Sequence, residues 1–503
     1  MAGNLYDALL GAAGAEDRLL MRDEIAGAIS YREFADHCAS LGGALVEAGL
    51  KPGDRVAVQA EKSATALALY LAVVRAGGIY LPLNVAYTPA EIEYFLGDAE
   101  PVIFVCDPAK RDALDPVAKA AGAAVLTLDA TGQGTLEDAA NTASPLAETS
   151  PRGGSDIAAI LYTSGTTGRS KGAMLSHDNL LSNALSLVEA WRFTADDVLI
   201  HALPIFHTHG LFVATNVVLA SRASMIFQPK FDPAKVLAAM PEATTLMGVP
   251  TFYTRLLQQP GLTREATANM RLFVSGSAPL LAETHREWQD RTGHAILERY
   301  GMTETNMNTS NPYDGRRVAG TVGFPLPGVD LRIVDPETGA PLGPEDIGMI
   351  EVRGPNVFSG YWRMPEKTAA EFREDGFFVT GDLGKVDADG YVHIVGRGKD
   401  LIITGGFNVY PKEVELEIDA MEGVLESAVF GVAHPDFGEG IVAAVVPRDG
   451  ASLNDRDVIE ALGARLAAYK RPKKIVFLEE LPRNTMGKVQ KNLLRSQFAD
   501  SFA

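Results

Sequence analysis

From about residue 50 to residue 300 the chain alternates short apolar runs with amphipathic stretches, and this constrains its fold more than any other feature. The runs at Val102–Val105, Ala158–Tyr162, Val198–Leu203, Ser224–Phe227 and Leu272–Ser275 read as strands. The stretches at Asn179–Trp191, Pro233–Met240 and Leu281–Thr292 read as helices between them. Strand and helix in alternation predict parallel sheets covered by helices, with ligands bound beyond the carboxyl ends of the strands. A single core stops growing well short of 503 residues, so at least two domains are expected.

From about residue 318 the texture changes. Asp330–Val334, Met349–Arg353 and Tyr391–Val395 read as strands separated by Gly, Pro and Asp turns, with Asp387-Ala388-Asp389-Gly390 as a hairpin turn. That turn lacks full EF-hand spacing, which argues against calcium. After Asp400 comes a segment of small-domain size with its own strand and helix patterns. The predicted architecture is α/β: residues 1–398 form helix-covered sheets plus a β-rich subdomain, and residues 399–503 form a small, mobile α+β domain.

Charge excludes several functions. Lys plus Arg number 45 and Asp plus Glu 64, a formal balance of −19, which argues against general nucleic-acid binding and against an anionic membrane surface. Between Arg465 and Arg495, however, nine basic residues meet two acidic ones, a local balance of +7. That run is either a solvated face or a site for a multiply charged anion. Cys38 and Cys106 are the two cysteines, too few for a disulfide framework, so a reducing cytoplasm is expected. Ala64–Val74 is the longest apolar stretch and is too short to span a bilayer. Met1–Leu10 has no basic region before an apolar run, so no secretory leader is expected, and Ser501-Phe502-Ala503 is no peroxisomal address.

The strongest local signal is Thr163-Ser164-Gly165-Thr166-Thr167-Gly168-Arg169-Ser170-Lys171-Gly172, after a strand and ahead of a helix. Its glycines permit tight turns, its hydroxyls and backbone N–H groups can wrap phosphate oxygens, and Lys171 adds charge. It does not fit the Walker A spacing. Four further motifs follow in order: Tyr300-Gly301-Met302-Thr303-Glu304, Thr380-Gly381-Asp382, Gly396-Arg397-Gly398-Lys399-Asp400 and Asn484-Thr485-Met486-Gly487-Lys488. Together these resemble the adenylate-forming (ANL) superfamily of acyl-CoA synthetases, luciferases and adenylation domains, over essentially the whole chain.

The resemblance implies ATP and Mg²⁺ as cofactors, with coenzyme A as co-substrate. It places the ATP phosphates on Thr163 to Gly168 and Lys171, and it lines the adenine site with Ser277-Ala278-Pro279. Tyr300 stacks on adenine, Thr303 touches the α-phosphate, and Glu298 belongs to the same nucleotide site. Asp382, assisted by Arg397, accepts from the ribose hydroxyls. Thr163 and Glu304 hold Mg²⁺. Lys488 bridges carboxylate and α-phosphate during adenylation, so Lys488, Thr303 and Glu304 form the catalytic set. Lys399 and Asp400 form the hinge about which the small domain turns, bringing Gly405, Gly406 and Phe407 to the thiol channel.

The run from Glu298 to Glu304, with Pro204-Ile205-Phe206-His207-Thr208-His209-Gly210, is similar to malonyl-CoA and methylmalonyl-CoA synthetases. A cation at Arg299 suits an acid with a second carboxylate, which arginine can clamp bidentately. By the same resemblance His207 lines the acyl pocket and Met302 bounds its size, with Arg255 as a second candidate for the carboxylate. Arg299 in a plain salt bridge, and His207 and His209 as satisfied core histidines, are the bland readings of the same residues. An acyl-CoA ligase for another short carboxylic acid, a free-standing adenylation enzyme loading a carrier protein and a non-enzymatic nucleotide-binding protein are the rival functions. Acetylation of Lys488 would remove its charge and block adenylation, which makes a lysine acetyltransferase a conceivable partner.

Overall fold

The computed structural model describes residues 3–163, 170–404, 407–463, 465–484 and 487–502. Its contacts group the chain into two compact units, Met1–Asp330 with Arg353–Gly376, and Leu331–Val352 with Phe377–Ala503. The architecture is mixed α/β, with large sheets in the N-terminal part and a smaller C-terminal domain.

Two sheets dominate the larger unit. One runs in the order Phe324–Pro325, Asn306–Ser310, Leu297–Met302, Leu272–Ser275, Thr245–Gly248, Val198–His201, Ser224–Phe227, Leu19–Asp23, Gly27–Ser30. From Leu297–Met302 to Leu19–Asp23 its neighbours are parallel, as the strand–helix alternation requires. Both ends close antiparallel. The other sheet contains five parallel neighbours and ends in the antiparallel pair Ile157–Thr163 and Lys171–Ser176. The apolar stretch that is too short for a membrane becomes the helix Ala64–Arg75, capped by Ser63 and buried along nearly its whole length. No helix among the described residues is long and apolar enough to cross a membrane.

The strand Lys171–Ser176 revises one expectation. The glycine-rich segment lies between two antiparallel strands, with Lys171 opposite Thr163, rather than running directly into a helix. The helix begins one strand later at His177, where Ser176 and Asn179 form a capping box.

The second unit holds the strands Gly348–Arg353, Phe378–Val386 and Val392–Arg397, antiparallel in that order, and a five-stranded sheet built on the long hairpin Val424–His434 and Gly438–Pro447. The hairpin alternates faces with period two. Val429, Ile441, Ala443 and Val445 pack with Val414, Ile418, Val458 and Leu462. Ala428, Phe430, Val442 and Ala444 pack on the other side with Leu481 and Leu494. Asp387 closes the expected turn by accepting from the backbone of Asp389 and Tyr391. Residues 331–352 and 377–398 pair into a four-stranded sheet of their own and group with the C-terminal residues.

Candidate functional site

The parallel strands of the larger unit deliver their carboxyl ends to one edge of the sheet, and polar side chains converge there. Leu272–Ser275 leads into Gly276 and Ser277, and Leu297–Met302 runs beside it, with Ser275 paired to Glu298. Val198–His201 leads into the Pro204–Gly210 turn. Alternation along Leu297–Met302 sends Glu298 and Arg299 to opposite faces. Glu298 accepts from the Gly320 backbone at 3.1 Å and lies 3.3 Å from His285 Nδ1.

Arg299 turns the other way and is 4 % exposed. Its guanidinium lies against Gly276, where an added Cβ would stand 2.3 Å from Cζ and 2.5 Å from Nε. Among the described residues nothing bonds Nε or Nη2. Burial pushes the guanidinium down to about 9, so it keeps its charge at neutral pH. Beside it His209 is buried, with Nδ1 3.3 Å from Ser277 Oγ. Burial, then the charge of Arg299, holds His209 well below the usual histidine range, so it is neutral. Tyr253 lies close enough to feel the same charge and donates its hydroxyl to Val274 O at 2.6 Å. Ser277 takes φ +71°, a conformation L-residues seldom adopt.

The turn bearing His207 and His209 is held from below. His201 Nε2 bonds Gly210 O at 2.9 Å, and buried Lys62 donates to His201 O at 2.7 Å and lies 3.0 Å from His201 Nδ1. Gly210 packs so closely on Pro204 that a Cβ would stand 2.0 Å from Pro204 O. His207 is half-buried, and its Nδ1 lies 3.5 Å from the His209 N–H. Arg255 is exposed on the helix Pro250–Leu257, whose buried positions include Tyr253. The helix therefore presents Tyr253, and not Arg255, to the cluster.

A second group forms near the glycine-rich segment. Thr163 ends its strand opposite Lys171, while Ser164 to Gly168 lie outside the described residues. Thr303 and Glu304 lie in the turn joining Leu297–Met302 to Asn306–Ser310, with Tyr300 opposite Thr309 and Met302 opposite Asn306. Glu304 is buried and lies 3.0 Å from the Tyr361 hydroxyl, which also donates to Glu371 at 2.6 Å. Lys171 stands 3.4 Å from Glu371. Tyr361 and Glu371 carried no signal in the sequence: one follows an ordinary glycine and the other sits in a short polar helix, Pro365–Glu371. Ala278 is half-buried and Pro279 exposed after Ser277.

The remaining candidates lie in the second unit. Asp382 is buried, pairs across its hairpin with Arg397, and makes an ion pair with it at 2.8 Å. Lys399 and Asp400 form a single 3-10 turn, and Asp400 accepts from Arg495 at 2.7 Å. Phe407 is exposed and stacks on Tyr469 with centroids 4.6 Å apart, while Gly405 and Gly406 lie outside the described residues. Lys488 is exposed on a turn closed by Asn484, whose Oδ1 accepts its N–H at 3.0 Å. Five of the nine cations in the basic run are ion-paired within their own unit. Arg465, Lys470, Arg483, Lys491 and Arg495 pair with Glu417, Glu413, Glu426, Glu415 and Asp400 of the same unit. A window along the sequence counts the cations and misses the carboxylates that fold onto them.

Among the described residues no cluster of three or more His, Cys, Asp or Glu side chains could hold a metal. One buried carboxylate, Glu304, suits Mg²⁺, which takes few protein oxygens and fills its shell with water and phosphate.

A family model described as AMP-binding enzyme matches residues 11–362, and one described as AMP-binding enzyme C-terminal domain matches residues 413–488. The chain is similar to ATP-bound MatB from Rhodopseudomonas palustris, at 64% identity over 99% of both chains with a TM-score of 0.98. It is 37% identical to a feruloyl-CoA synthase of an Amycolatopsis species over 94% of both, and 35% identical to malonate–CoA ligase of Arabidopsis thaliana over 89% of this chain and 78% of that one.

Proposed function

The chain belongs to the AMP-binding enzyme family, and on that premise we propose that it ligates malonate or methylmalonate to coenzyme A with ATP, through an acyl-adenylate. One observation carries the choice of acid: the buried Arg299 guanidinium, whose Nε and Nη2 meet no bonding partner among the described residues. A buried charge without a partner is costly, and a carboxylate supplies the partner with planar, bidentate geometry. Neutral His209 and Ser277 beside it can add hydrogen bonds without adding charge. A ferulate or fatty-acid tail offers Arg299 no second carboxylate and leaves its buried charge without a counter-charge.

In the first half-reaction the other carboxylate of malonate attacks the α-phosphorus of ATP and pyrophosphate leaves. Lys488 lies between the two anions and offsets their repulsion as charge moves. The glycine-rich segment and Lys171 hold the phosphates, Tyr300 and Ser277 to Pro279 hold the base with Glu298 behind them, and Asp382 with Arg397 holds the ribose. Thr303 touches the α-phosphate. Thr163 and Glu304 would hold Mg²⁺, which when bound neutralises polyphosphate charge. In the second half-reaction the thiol sulfur of coenzyme A attacks the acyl carbon, the carbon–oxygen bond to phosphate breaks, and AMP leaves. Residues 399–503 turn about Lys399 and Asp400 between the steps, exchanging Lys488 for Gly405 to Phe407. Two cysteines, both free, make no disulfide framework, which supports a cytoplasmic setting. A lysine acetyltransferase acting on Lys488 would silence the first step alone.

The test is the ratio of kcat/KM for malonate to that for propionate in wild type and in Arg299→Leu. Loss of one partner of a buried charge pair costs about 2–5 kcal/mol, so the ratio should fall by roughly thirty-fold or more. Methylmalonate should follow malonate. A ratio unchanged by the substitution overturns the assignment of the second carboxylate to Arg299.

A further inference from the structure

Four side chains from separate stretches form a continuous polar chain inside the larger unit. Lys171, at the start of the strand leaving the glycine-rich segment, lies 3.4 Å from Glu371 Oε1, and its ammonium sits 4.0 Å from the centre of the Tyr361 ring. Glu371 Oε2 accepts from the Tyr361 hydroxyl at 2.6 Å. The same hydroxyl is 3.0 Å from Glu304 Oε1. The backbone fixes both ends of the chain. Tyr361 forms a bridge with Ala173, two residues beyond Lys171, and donates its N–H to Thr368 Oγ1 at 2.9 Å. Glu304 O accepts from the Phe358 N–H at 2.8 Å.

A phenol carries one proton and can donate it to one carboxylate at a time. Glu304 and Glu371 therefore compete for it, at 3.0 and 2.6 Å. A cation on Glu304 ends that carboxylate's claim on the proton and leaves it to Glu371. Glu371 Oε1 also meets Lys367 at 2.7 Å, so a Glu371 satisfied by the phenol on Oε2 has least hold on Lys171, its more distant cation at 3.4 Å, and that lysine is freer to meet phosphate. In the low-dielectric interior each of these contacts is stronger than it would be in water.

We propose that Tyr361 and Glu371 are positioning residues that couple the Glu304 carboxylate to Lys171, so that Mg²⁺ and the phosphates of ATP bind cooperatively. The proposal rests on the reading above that Glu304 holds Mg²⁺ and Lys171 meets the phosphates. Neither Tyr361 nor Glu371 need touch the substrate. Each acts through its neighbour, and together they tie the segment that grips the phosphates to the turn that would carry the metal.

The experiment is calorimetric binding of α,β-methylene-ATP to the full chain, with Mg²⁺ and with EDTA, in wild type, Tyr361→Phe, Glu304→Gln and the double variant. Tyr361→Phe should shrink the Mg²⁺-dependent gain in affinity by about tenfold, the worth of one charge-assisted hydrogen bond, and leave binding in EDTA within about twofold. The double variant should bind as Glu304→Gln does, because the hydroxyl acts only through that carboxylate. A full gain in Tyr361→Phe, with the gain lost in Glu304→Gln, overturns the coupling, as do additive losses in the double variant. A full gain in Glu304→Gln instead removes the metal assignment, and the coupling falls with it. If Tyr361→Phe does not fold, Glu371→Gln carries the test, since the amide keeps the shape and removes the charge. It too should shrink the gain, and an unchanged gain would count against the proposal.

Discussion

Lys488 is exposed on a turn that Asn484 closes, and its local setting is that of any surface lysine. What singles it out is chemistry: a carboxylate must reach a polyphosphate, and a positioned cation lowers the cost of bringing two anions together. On the proposed function its part is confined to the first half-reaction. Lys488→Ala should lower acyl-adenylate formation by about a hundredfold or more, while thioester formation from supplied malonyl-AMP stays within about twofold. Single-turnover assays of each half-reaction separate the two, and equal losses would contradict the assignment. At this scale the sequence was legible where a residue's chemistry is unusual for its place. The cation beside Glu298, in a run similar to malonyl-CoA synthetases, is such a case, and Arg299 is found buried. Gly276, Tyr253, Tyr361 and Glu371 were not legible. Their significance comes from what the fold brings against them, and a tyrosine or glutamate read alone signals nothing.

Among the elements, strands bounded by turn residues were read closely: Ser224–Phe227, Leu272–Ser275 and Asp330–Val334 form as expected. Lys171–Ser176 was missed because Lys-Gly-Ala-Met-Leu-Ser neither alternates apolar with polar nor forms a β-branched apolar run. The helix that follows it carries a pH-sensitive tie. His177 Nδ1 accepts from the Leu5 N–H at 3.0 Å, and the ring is 1 % exposed. Burial, then the charge of Arg152, lowers His177 from 6.5 to about 4. Between these values the unfolded chain binds the proton and the native state does not, so stability falls as pH drops through that window. His201 and His209, also held low by burial, act in the same direction. The urea midpoint should therefore fall between pH 7 and pH 5, and His177→Gln, which can still accept from Leu5, should reduce that fall. An identical pH dependence in the variant would show that folding does not lower the affinity of His177 for its proton.

For the whole molecule, a formal charge of −19 sits oddly with three anionic substrates. On the proposed function, Lys171, Arg299 and Lys488 supply the local positive charge, while five of the nine cations in the basic run near the C-terminus pair with carboxylates of their own unit. The two-part organisation was visible as a change of sequence texture. The grouping of residues 331–352 and 377–398 was not, since it depends on which strands pair across long separations. Relatives of comparable similarity bear the names of feruloyl-CoA and malonate enzymes, so the acid is the claim most in need of a direct answer. The measurement is the rate of AMP release from ATP with free coenzyme A as acceptor, across malonate, methylmalonate, propionate, benzoate and ferulate. A site built to bond a polar group rejects analogues that lack it far more strongly than an apolar pocket can. Malonate and methylmalonate should exceed the monocarboxylic acids in kcat/KM by about a hundredfold or more, whereas ferulate or benzoate leading the series, or propionate matching malonate, would contradict the account.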